Sequence, residues 1–395
     1  MKMKKIAIAV LCLSFVGGVS AQTSTPDVED FGLSPSLQPW ENFDLSIWGL
    51  DSPALIDTEE DDPDERNFER GVRIDDFEFI ALREGTNNSD FNSASDLFFG
   101  NTGNTQSSAP YFFTGSDGGM VFKSPVNGGR TSSGARFPRS ELREYVRGGV
   151  TQRSNGLSIS TSGTNENNWV LGYQPQNLIL DDNGRRDRGI ENVGGRNGVL
   201  TATLRVNKVT VTGRPDDIGA TIIGQIHAEE DEPLRLYYRK LPGNELGSVY
   251  FLHEINGEGD LEEIILVGSR DDDASNPTGG IALDELFSYE IIAEGADITV
   301  VLRRGDFDSD DIIGSASVNM IVENSDYDRR DEWMYFKAGV YTQNNSAVEE
   351  FDDEDLPGGD TTGFGPNGDE ADFDQATFYR LSVSHDGNNC DSCSD

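Results

Sequence analysis

The stretch WMYFKAGVYTQ, residues 333–343, decides the fold class because its side chains alternate between two environments. Successive side chains of a β-strand point to opposite faces of the sheet. Phe336, Ala338 and Val340 form an apolar set that suits a core, whereas the other set, which includes Lys337, is too polar for one. The stretch is therefore predicted to be a strand with one buried face and one polar face.

The polar face of this strand has the composition of a ligand-binding surface. Lys337 and Tyr341 share this face, with Gly339 between them. Because glycine has no side chain, we expect Gly339 to clear space above the sheet for a ligand. A half-solvated strand is the simpler interpretation of this segment alone, so a functional interpretation needs other segments with the same pattern.

A second segment, RSELREYVR at 139–147, repeats the pattern. Leu142 and Val146 occupy its predicted core face. The opposite face is predicted to carry a row of charged and aromatic side chains: Arg139, Glu141, Arg143, Tyr145 and Arg147. A third segment offers Gln225 and His227 on one face. Three predicted strands thus present arginine, glutamine, histidine, lysine and tyrosine.

At these residues the chain resembles the alginate lyases of polysaccharide lyase family seven. The family signatures R-(S/T)-E-L-R, Q-(I/V)-H and Y-F-K-A-G-x-Y-x-Q all occur here, in the same order. The Q-I-H triplet is weakly specific, whereas the block at 335–343 is specific. The similarity extends from residues 43–48 to residues 378–385, so it covers nearly the whole mature chain.

The resemblance implies cleavage of alginate by β-elimination, in which the C5 proton leaves, the bond from C4 to O4 breaks and a C4=C5 double bond remains. Arg139 and Gln225 are expected to neutralise the uronate carboxylate, so that the C5 proton becomes acidic. His227 is the expected base, since an imidazole titrates near ~6.5, and Tyr341 is expected to protonate the departing O4. Tyr341 can also act as base if nearby cations such as Lys337 stabilise its phenolate. The residues expected to bind or orient substrate are Glu141, Arg143, Lys337, Gln343, Tyr335 and Arg147.

Short alternating segments recur between clusters of Gly, Asn and Asp, and no comparable helical period appears. This pattern predicts an all-β domain, a jelly roll or sandwich of two antiparallel sheets. The resemblance adds that the reactive strands line a concave substrate-binding face. Strands are predicted at 75–82, 119–123, 199–212, 234–240, 249–254, 262–267, 287–292, 298–303, 315–321 and 376–385.

The first residues have the features of a secretory signal peptide, with lysines before an apolar run and small residues at a cleavage site. The run is short of the roughly 20 residues of a membrane span, so we expect a secreted protein without one. Cys390 and Cys393 can form a local disulfide in an oxidising compartment. The predicted organisation is a signal peptide at 1–21, a lead-in at 22–37, the catalytic jelly roll at 38–387 and a flexible tail at 388–395.

The chain carries 71 Asp and Glu against 31 Lys and Arg, a formal net charge of −40, and removal of the three signal-peptide lysines makes it −43. Such a polyanion is not expected to bind nucleic acid. Its solubility is favoured where salt screens its self-repulsion, which indicates a saline habitat. Alginate is a polyanion too, so the cleft has to be locally basic, and the arginines of 139–147 meet that requirement.

Two acidic segments, 57–70 and 344–374, raise the question of a calcium site, because hard cations bind clustered carboxylates. Neither has the spacing of an EF-hand loop. A solvated, salt-adapted loop is therefore the favoured interpretation, and no metal or other cofactor is predicted. Alginate is the predicted partner, and the protein is predicted to be a monomer.

Three alternative functions are compatible with the sequence. A non-catalytic polyuronate-binding sandwich needs arginines and aromatics but neither base nor acid. A lyase of the same fold can act on another polyuronate. A glycoside hydrolase needs two carboxylates at a defined separation, and no pair stands out by its spacing. For the alginate lyase itself, endo action with unsaturated oligosaccharide products is expected, and the preference between mannuronate and guluronate is left open.

We predict that alginate turnover and stability both rise as salt is added from very low ionic strength, because screening weakens self-repulsion and the long-range repulsion of a polyanionic substrate. Excess salt should then weaken binding by Arg139 and Arg143. Initial rates and urea midpoints measured between about 0.01 and 1 M salt test this. A rate that falls steadily from the lowest salt contradicts it.

Overall fold

The computed structural model of this chain describes residues 31–55, 71–74, 111–126, 128, 137–146, 167–172, 193–229, 231–257, 261–327, 332–344 and 372–386. Several predictions lie outside these ranges: the signal peptide, most of the lead-in, the strand at 75–82, Arg147, the acidic segment 57–70, most of 344–374 and the tail. No helix within the described ranges is long and apolar enough to cross a membrane.

The described residues form one short helix, α1 (Pro39–Asn42), and a series of strands. In chain order the strands are β1 (Trp48–Leu55), β2 (Gly71–Ile74), β3 (Phe112–Thr114), β4 (Met120–Pro125), β5 (Arg139–Glu144), β6 (Trp169–Val170), β7 (Gly195–Lys208), β8 (Ala220–His227), β9 (Leu234–Arg239), β10 (Leu246–Glu254), β11 (Leu261–Val267), β12 (Ile281–Ala282), β13 (Phe287–Glu294), β14 (Asp297–Arg304), β15 (Ile312–Asn319), β16 (Tyr335–Thr342) and β17 (Phe373–Asp386).

These strands form two sheets. The nine-stranded sheet has the order β11-β10-β9-β8-β16-β5-β1-β2, with β12 paired to β10. The eight-stranded sheet has the order β15-β14-β13-β7-β17-β4-β3, with β6 paired to β7. Among the described strands, the pairing of β6 with β7 is parallel and the others are antiparallel. The predicted all-β architecture of two antiparallel sheets, a jelly roll, is confirmed.

The core lies between the two sheets and includes the apolar face predicted for β16. Phe336, Ala338 and Val340 are fully buried and share one apolar cluster with Leu200 of the opposite sheet. The Phe336 ring also packs on Trp169, with the ring centroids 4.8 Å apart. Burial of apolar surface is the main stabilising term in folding. The core therefore fixes the position of β16, and with it the polar face of that strand.

One predicted strand begins and ends four residues earlier than its pattern suggested, and side chains bind the backbone donors that follow it. The prediction 199–212 corresponds to β7, which ends at Lys208. The amides of Val211 and Thr212 donate to the Asp372 carboxylate at 2.7 and 2.9 Å instead of to a neighbouring strand. The alternation pattern also missed β1, β2 and β3. Each of these strands is short or pairs within its sheet with a strand far away in the sequence.

One carboxylate lies in the core and joins the two sheets. Glu144 of β5 is fully buried, with its Oε1 atom 2.5 Å from His385 Nε2. Its Oε2 atom accepts hydrogen bonds from Trp169 Nε1 at 3.1 Å and from the Phe336 amide at 2.9 Å. His385 Nδ1 in turn donates to the Asn197 carbonyl at 2.6 Å. Glu144 thus links β5 and β16 to β7 and β17.

We predict that Glu144→Ala lowers the free energy of unfolding by about 3–5 kcal/mol, because it leaves buried polar partners without their acceptor. The matched control is Glu263→Ala, which removes an exposed carboxylate 3.7 Å from Arg270 and should cost about 0–1 kcal/mol. Urea unfolding followed by tryptophan fluorescence compares the two. Equal midpoints for both variants would show that the Glu144 hydrogen bonds stabilise the fold no more than an exposed ion pair does.

Candidate active site

Three neighbouring strands bring the predicted site residues together on the face of the nine-stranded sheet opposite the core. β16 lies between β8 and β5, and both pairings are antiparallel. The register places the site residues in three rows across these strands: Arg143, Lys337 and Gln225; Tyr335 and His227; Arg139 and Tyr341. These side chains are neighbours because of the register in which the strands pair. The separate sequence motifs carry no information about that register.

Gly339 is required by the backbone and not by a ligand. Its φ is 148°, and a Cβ atom here would lie 2.6 Å from the Ser140 carbonyl oxygen, 2.7 Å from Glu141 Cα and 3.2 Å from Phe122 Cδ1. These atoms belong to β5 and to the core. The prediction that Gly339 clears space above the sheet is therefore wrong. The glycine instead permits the bulge through which β16 changes register with β8 after Ala338.

The centre of the site is the fully buried carboxylate of Glu141. Lys337 Nζ forms an ion pair with Glu141 Oε2, and Gln225 Nε2 donates a hydrogen bond to Oε1. Arg139 Nη1 lies 3.8 Å from Oε2, and Lys337 Nζ also lies 3.4 Å from Asp51 Oδ2. A buried carboxylate needs such partners to remain ionised. Glu141 therefore holds a side chain from each of β5, β8 and β16.

Arg139 and Tyr341 form a stacked pair at one end of the site. The guanidinium Cζ atom lies 3.7 Å from the centroid of the Tyr341 ring, and the Phe137 ring packs against the same phenol at 6.3 Å. Burial raises the pKa of Tyr341 above its ordinary value, and the Arg139 charge offsets this only in part. Tyr341 is therefore a protonated phenol at neutral pH, which suits an acid and disfavours the phenolate needed for a base.

His227 lies at the other end of the site with a defined tautomer. Its Nδ1 atom is 2.6 Å from the Ala228 carbonyl oxygen, which can only accept, so Nδ1 carries the hydrogen and the neutral ring keeps a lone pair on Nε2. The ring stacks on Tyr335 with centroids 4.9 Å apart. Burial and the charges of Lys337 and Arg143 lower the pKa of His227 well below 6.5. His227 is therefore a neutral base at neutral pH.

The remaining predicted binding residues have different surroundings. The Arg143 guanidinium lies over the Tyr335 ring, with Cζ 4.2 Å from the centroid. Gln343 follows the last residue of β16, and its side-chain amide donates to the Thr342 carbonyl at 3.0 Å. Arg147 lies outside the described residues. Arg143 and Tyr335 thus belong to the three-strand cluster, the set of site residues on β5, β8 and β16, whereas Gln343 lies at its edge.

Sequence reasoning missed some side chains that shape the site. Asp51 pairs across from Glu141 on β1, and only this long-range pairing brings it to the site lysine. Tyr237 and Tyr250 stack with centroids 5.1 Å apart and belong to the same apolar cluster as Tyr341. The period-two pattern of the strands that carry these tyrosines could have placed them on this face, whereas nothing in the sequence marks Asp51.

A carboxyl pair, Glu232 and Glu254, lies beside the histidine. Glu232 Oε1 is 3.6 Å from His227 Nε2, and Arg235 lies 3.9 Å from Glu232 and 3.5 Å from Glu254. Burial raises the pKa of Glu254 to about 7; Arg235 opposes this rise, and the hydrogen-bonded Glu232 adds to it. Glycosidases keep their two carboxyl groups roughly 5 Å or more apart. A hydrogen-bonded pair does not have that geometry, so Glu232 and Glu254 are not arranged as the two carboxyl groups of a glycosidase.

The described end of the second acidic segment forms internal contacts. Asp372 pairs with Lys208 at 2.7 Å, and the buried Asp374 accepts a hydrogen bond from the Thr210 amide at 2.6 Å. Burial raises the pKa of Asp374 to about 7. Within the described ranges, no group of three or more His, Cys, Asp or Glu side chains is arranged to hold a metal ion. The rest of this segment, like 57–70, lies outside those ranges.

Comparisons with known proteins show which family this chain resembles. An alginate lyase of Klebsiella pneumoniae is 36% identical over 355 residues, which are 88% of this chain and 91% of that protein. The crystal structure of the alginate lyase from the same organism matches with a TM-score of 0.63 at 34% identity, covering 89% of this chain and 99% of that one.

A more distant solved structure supports the fold. The exolytic family-seven alginate lyase of Zobellia galactanivorans matches with a TM-score of 0.53 at 18% identity, covering 89% of this chain and 99% of that one. The sequence model of the alginate lyase family matches residues 43–385, which span both sheets and the whole three-strand cluster. The chain therefore belongs to the alginate lyase family, a family of polysaccharide lyases.

Proposed function

We propose that this chain cleaves alginate by β-elimination, with His227 as the base and Tyr341 as the acid. The observation that carries the proposal is the strand register, which places His227, Tyr341 and the buried Arg139 on one face of three adjacent strands. The similar proteins are alginate lyases by name, which supports alginate as the substrate.

The first chemical requirement is to neutralise the uronate carboxylate next to C5. Arg139 is 8% exposed, and its Nη1 lies 3.8 Å from Glu141 Oε2, beyond hydrogen-bond distance, so the guanidinium keeps donors for a ligand. Gln225 uses one amide hydrogen on Glu141 and has a second to donate. Hydrogen bonds from these two groups stabilise the negative charge that develops as the C5 proton leaves.

The second requirement is a base and an acid at the two ends of the sugar ring. Tyr341 lies near one end of β16, whereas His227 pairs with Tyr335 at the other end. A ring bound between them presents its C5 proton to His227 Nε2 and its O4 to the phenol. In guluronate these two atoms lie on opposite sides of the ring, which suits two separate groups. We therefore propose that guluronate is cleaved by this route.

Mannuronate makes a different demand, because its C5 proton and O4 lie on the same side of the ring. Tyr341 would have to take the first proton and deliver one to O4. The raised pKa of the phenol makes this harder, and Arg139 is the cation available to assist it.

We also propose that the protein is secreted and endo-acting and that it leaves a 4,5-unsaturated uronate at the new non-reducing end. We propose that it needs no cofactor, since side chains neutralise the carboxylate and supply the base and the acid.

We predict that the purified protein, incubated with alginate, generates the ultraviolet absorbance of an unsaturated uronate in step with new reducing ends. Elimination forms a C4=C5 bond conjugated to the carboxylate, so each cleavage adds one chromophore. Reducing ends without absorbance would indicate hydrolysis, and neither signal would indicate a binding module. Pectate and hyaluronan serve as parallel substrates to detect a lyase of another polyuronate.

Substitution of the two proton-transfer groups should separate their roles. Tyr341→Phe is expected to lower kcat on both polymannuronate and polyguluronate by at least ~10²-fold, because a general acid typically contributes ~10²–10⁴-fold. His227→Ala is expected to reduce guluronate cleavage more than mannuronate cleavage. Steady-state kinetics on the two block polymers measure both effects.

The matched control is Tyr238→Phe, which removes a core hydroxyl that donates to the Ile281 carbonyl at 2.9 Å and should leave kcat near wild type. A Tyr341→Phe enzyme with more than about a tenth of the wild-type kcat on both polymers removes this tyrosine from the mechanism. Equal losses on both polymers in His227→Ala would contradict a base role confined to guluronate.

A further inference from the structure

The surroundings of His227 pose an electrostatic problem for a base. When the ring takes a proton it becomes an imidazolium, and most charges around it are positive. The ionisable groups on the elements packed around the ring are Lys337 and Tyr335 on β16, Arg139, Arg143 and Glu141 on β5, Arg235 on β9, Glu254 on β10 and Glu232 in the β8–β9 connection. Without a counter-charge, the developing imidazolium would be destabilised by these cations.

We propose that Glu232 is a positioning residue for His227, holding the counter-charge that stabilises the imidazolium formed during proton abstraction. The geometry carries this assignment. Nδ1 is bound to the Ala228 carbonyl, so Nε2 is the atom that takes the proton, and Glu232 Oε1 lies 3.6 Å from Nε2. In the neutral state neither Nε2 nor the carboxylate oxygen carries a hydrogen, so no hydrogen bond joins them, and the separation is close enough for strong attraction once Nε2 is protonated. The inference rests on the proposed role of His227 as base.

Arg235 and Glu254 are the charged neighbours of Glu232. Arg235 lies 3.9 Å from one Glu232 oxygen and 3.5 Å from Glu254, and the Glu232 amide donates to Glu254 Oε2 at 3.4 Å. Burial raises the pKa of Glu254 to about 7, with Arg235 opposing and Glu232 adding to the rise. Near neutral pH Glu254 is therefore partly protonated.

The proposed step changes no bond of Glu232. The bond from C5 to its hydrogen breaks, the proton goes to His227 Nε2, and the electron pair forms the C4=C5 bond. The bond from C4 to O4 breaks at the same time, and O4 takes the proton of Tyr341. Glu232 remains a carboxylate throughout, and its contribution is confined to the imidazolium state.

The test is Glu232→Gln, which keeps the shape of the side chain and removes its charge. The pKa of His227 should fall further, and kcat on polyguluronate should fall about three- to tenfold with KM nearly unchanged. The loss on polymannuronate should be smaller. The acid limb of the pH profile should also move to lower pH, which a merely structural role would not produce. Glu232→Asp should recover part of the activity.

The matched control is Glu263→Gln, which makes the same change in net charge at an exposed site on β11, 3.7 Å from Arg270. Its kinetics should equal those of the wild type. If Glu232→Gln equals Glu263→Gln on polyguluronate, or loses the same factor on both polymers, the proposal is overturned. Should Glu232→Gln fail to fold, Glu232→Ser removes the same charge with a smaller side chain, and the same comparison with Glu263→Gln decides.

A substrate-free measurement separates this proposal from the proposed function. The chain has three histidines, so the imidazole signals can be titrated by NMR and His227 assigned by its absence in His227→Ala. A lower midpoint in Glu232→Gln than in wild type supports the counter-charge, and an unchanged midpoint overturns it. A wild-type chain inactive on alginate would instead overturn the proposed function while leaving the titration readable.

Discussion

The buried carboxylate of Glu141 is the constraint on which the site depends. An ionised carboxylate without solvent has to be matched by cations and donors, and here Lys337, Gln225 and Arg139 supply them from three strands. Each of these side chains loses its freedom to reach solvent. The network forms only when β8, β16 and β5 pair in one register, so correct folding and correct site geometry are the same event.

Burial also sets the protonation states that the chemistry needs. It lowers the pKa of His227 and raises that of Tyr341, so between the two values the histidine is a free base and the tyrosine a free acid. The surrounding arginines and lysine reinforce the first effect and oppose the second only in part. The locally basic cleft thus attracts a polyanionic substrate and keeps its base unprotonated, although the chain as a whole carries a net charge of −40.

Strand β5 uses its two faces for two different buried carboxylates. Glu141 faces the site, and Glu144 faces the core, where His385 and Trp169 bind it. The first organises the reactive side chains, and the second binds the Phe336 amide of β16 and, through His385, joins the site strands to the opposite sheet. Replacement of either carboxylate therefore removes a contact to β16. This arrangement explains how a polar site can be held rigidly on a sheet face.

The sequence by itself determined the all-β class, the apolar face of β16 and the set of reactive residue types, because period-two alternation and short motifs are local properties. It could not assign Asp51 or Glu232 to the site, since a pairing register and a connection between strands place them there. It also misassigned Gly339, whose role depends on the backbone of β5. Only the tertiary structure decided which carboxylates are buried and which nitrogen of His227 is free. Those properties arise from contacts between residues far apart in the chain, and no local pattern encodes them.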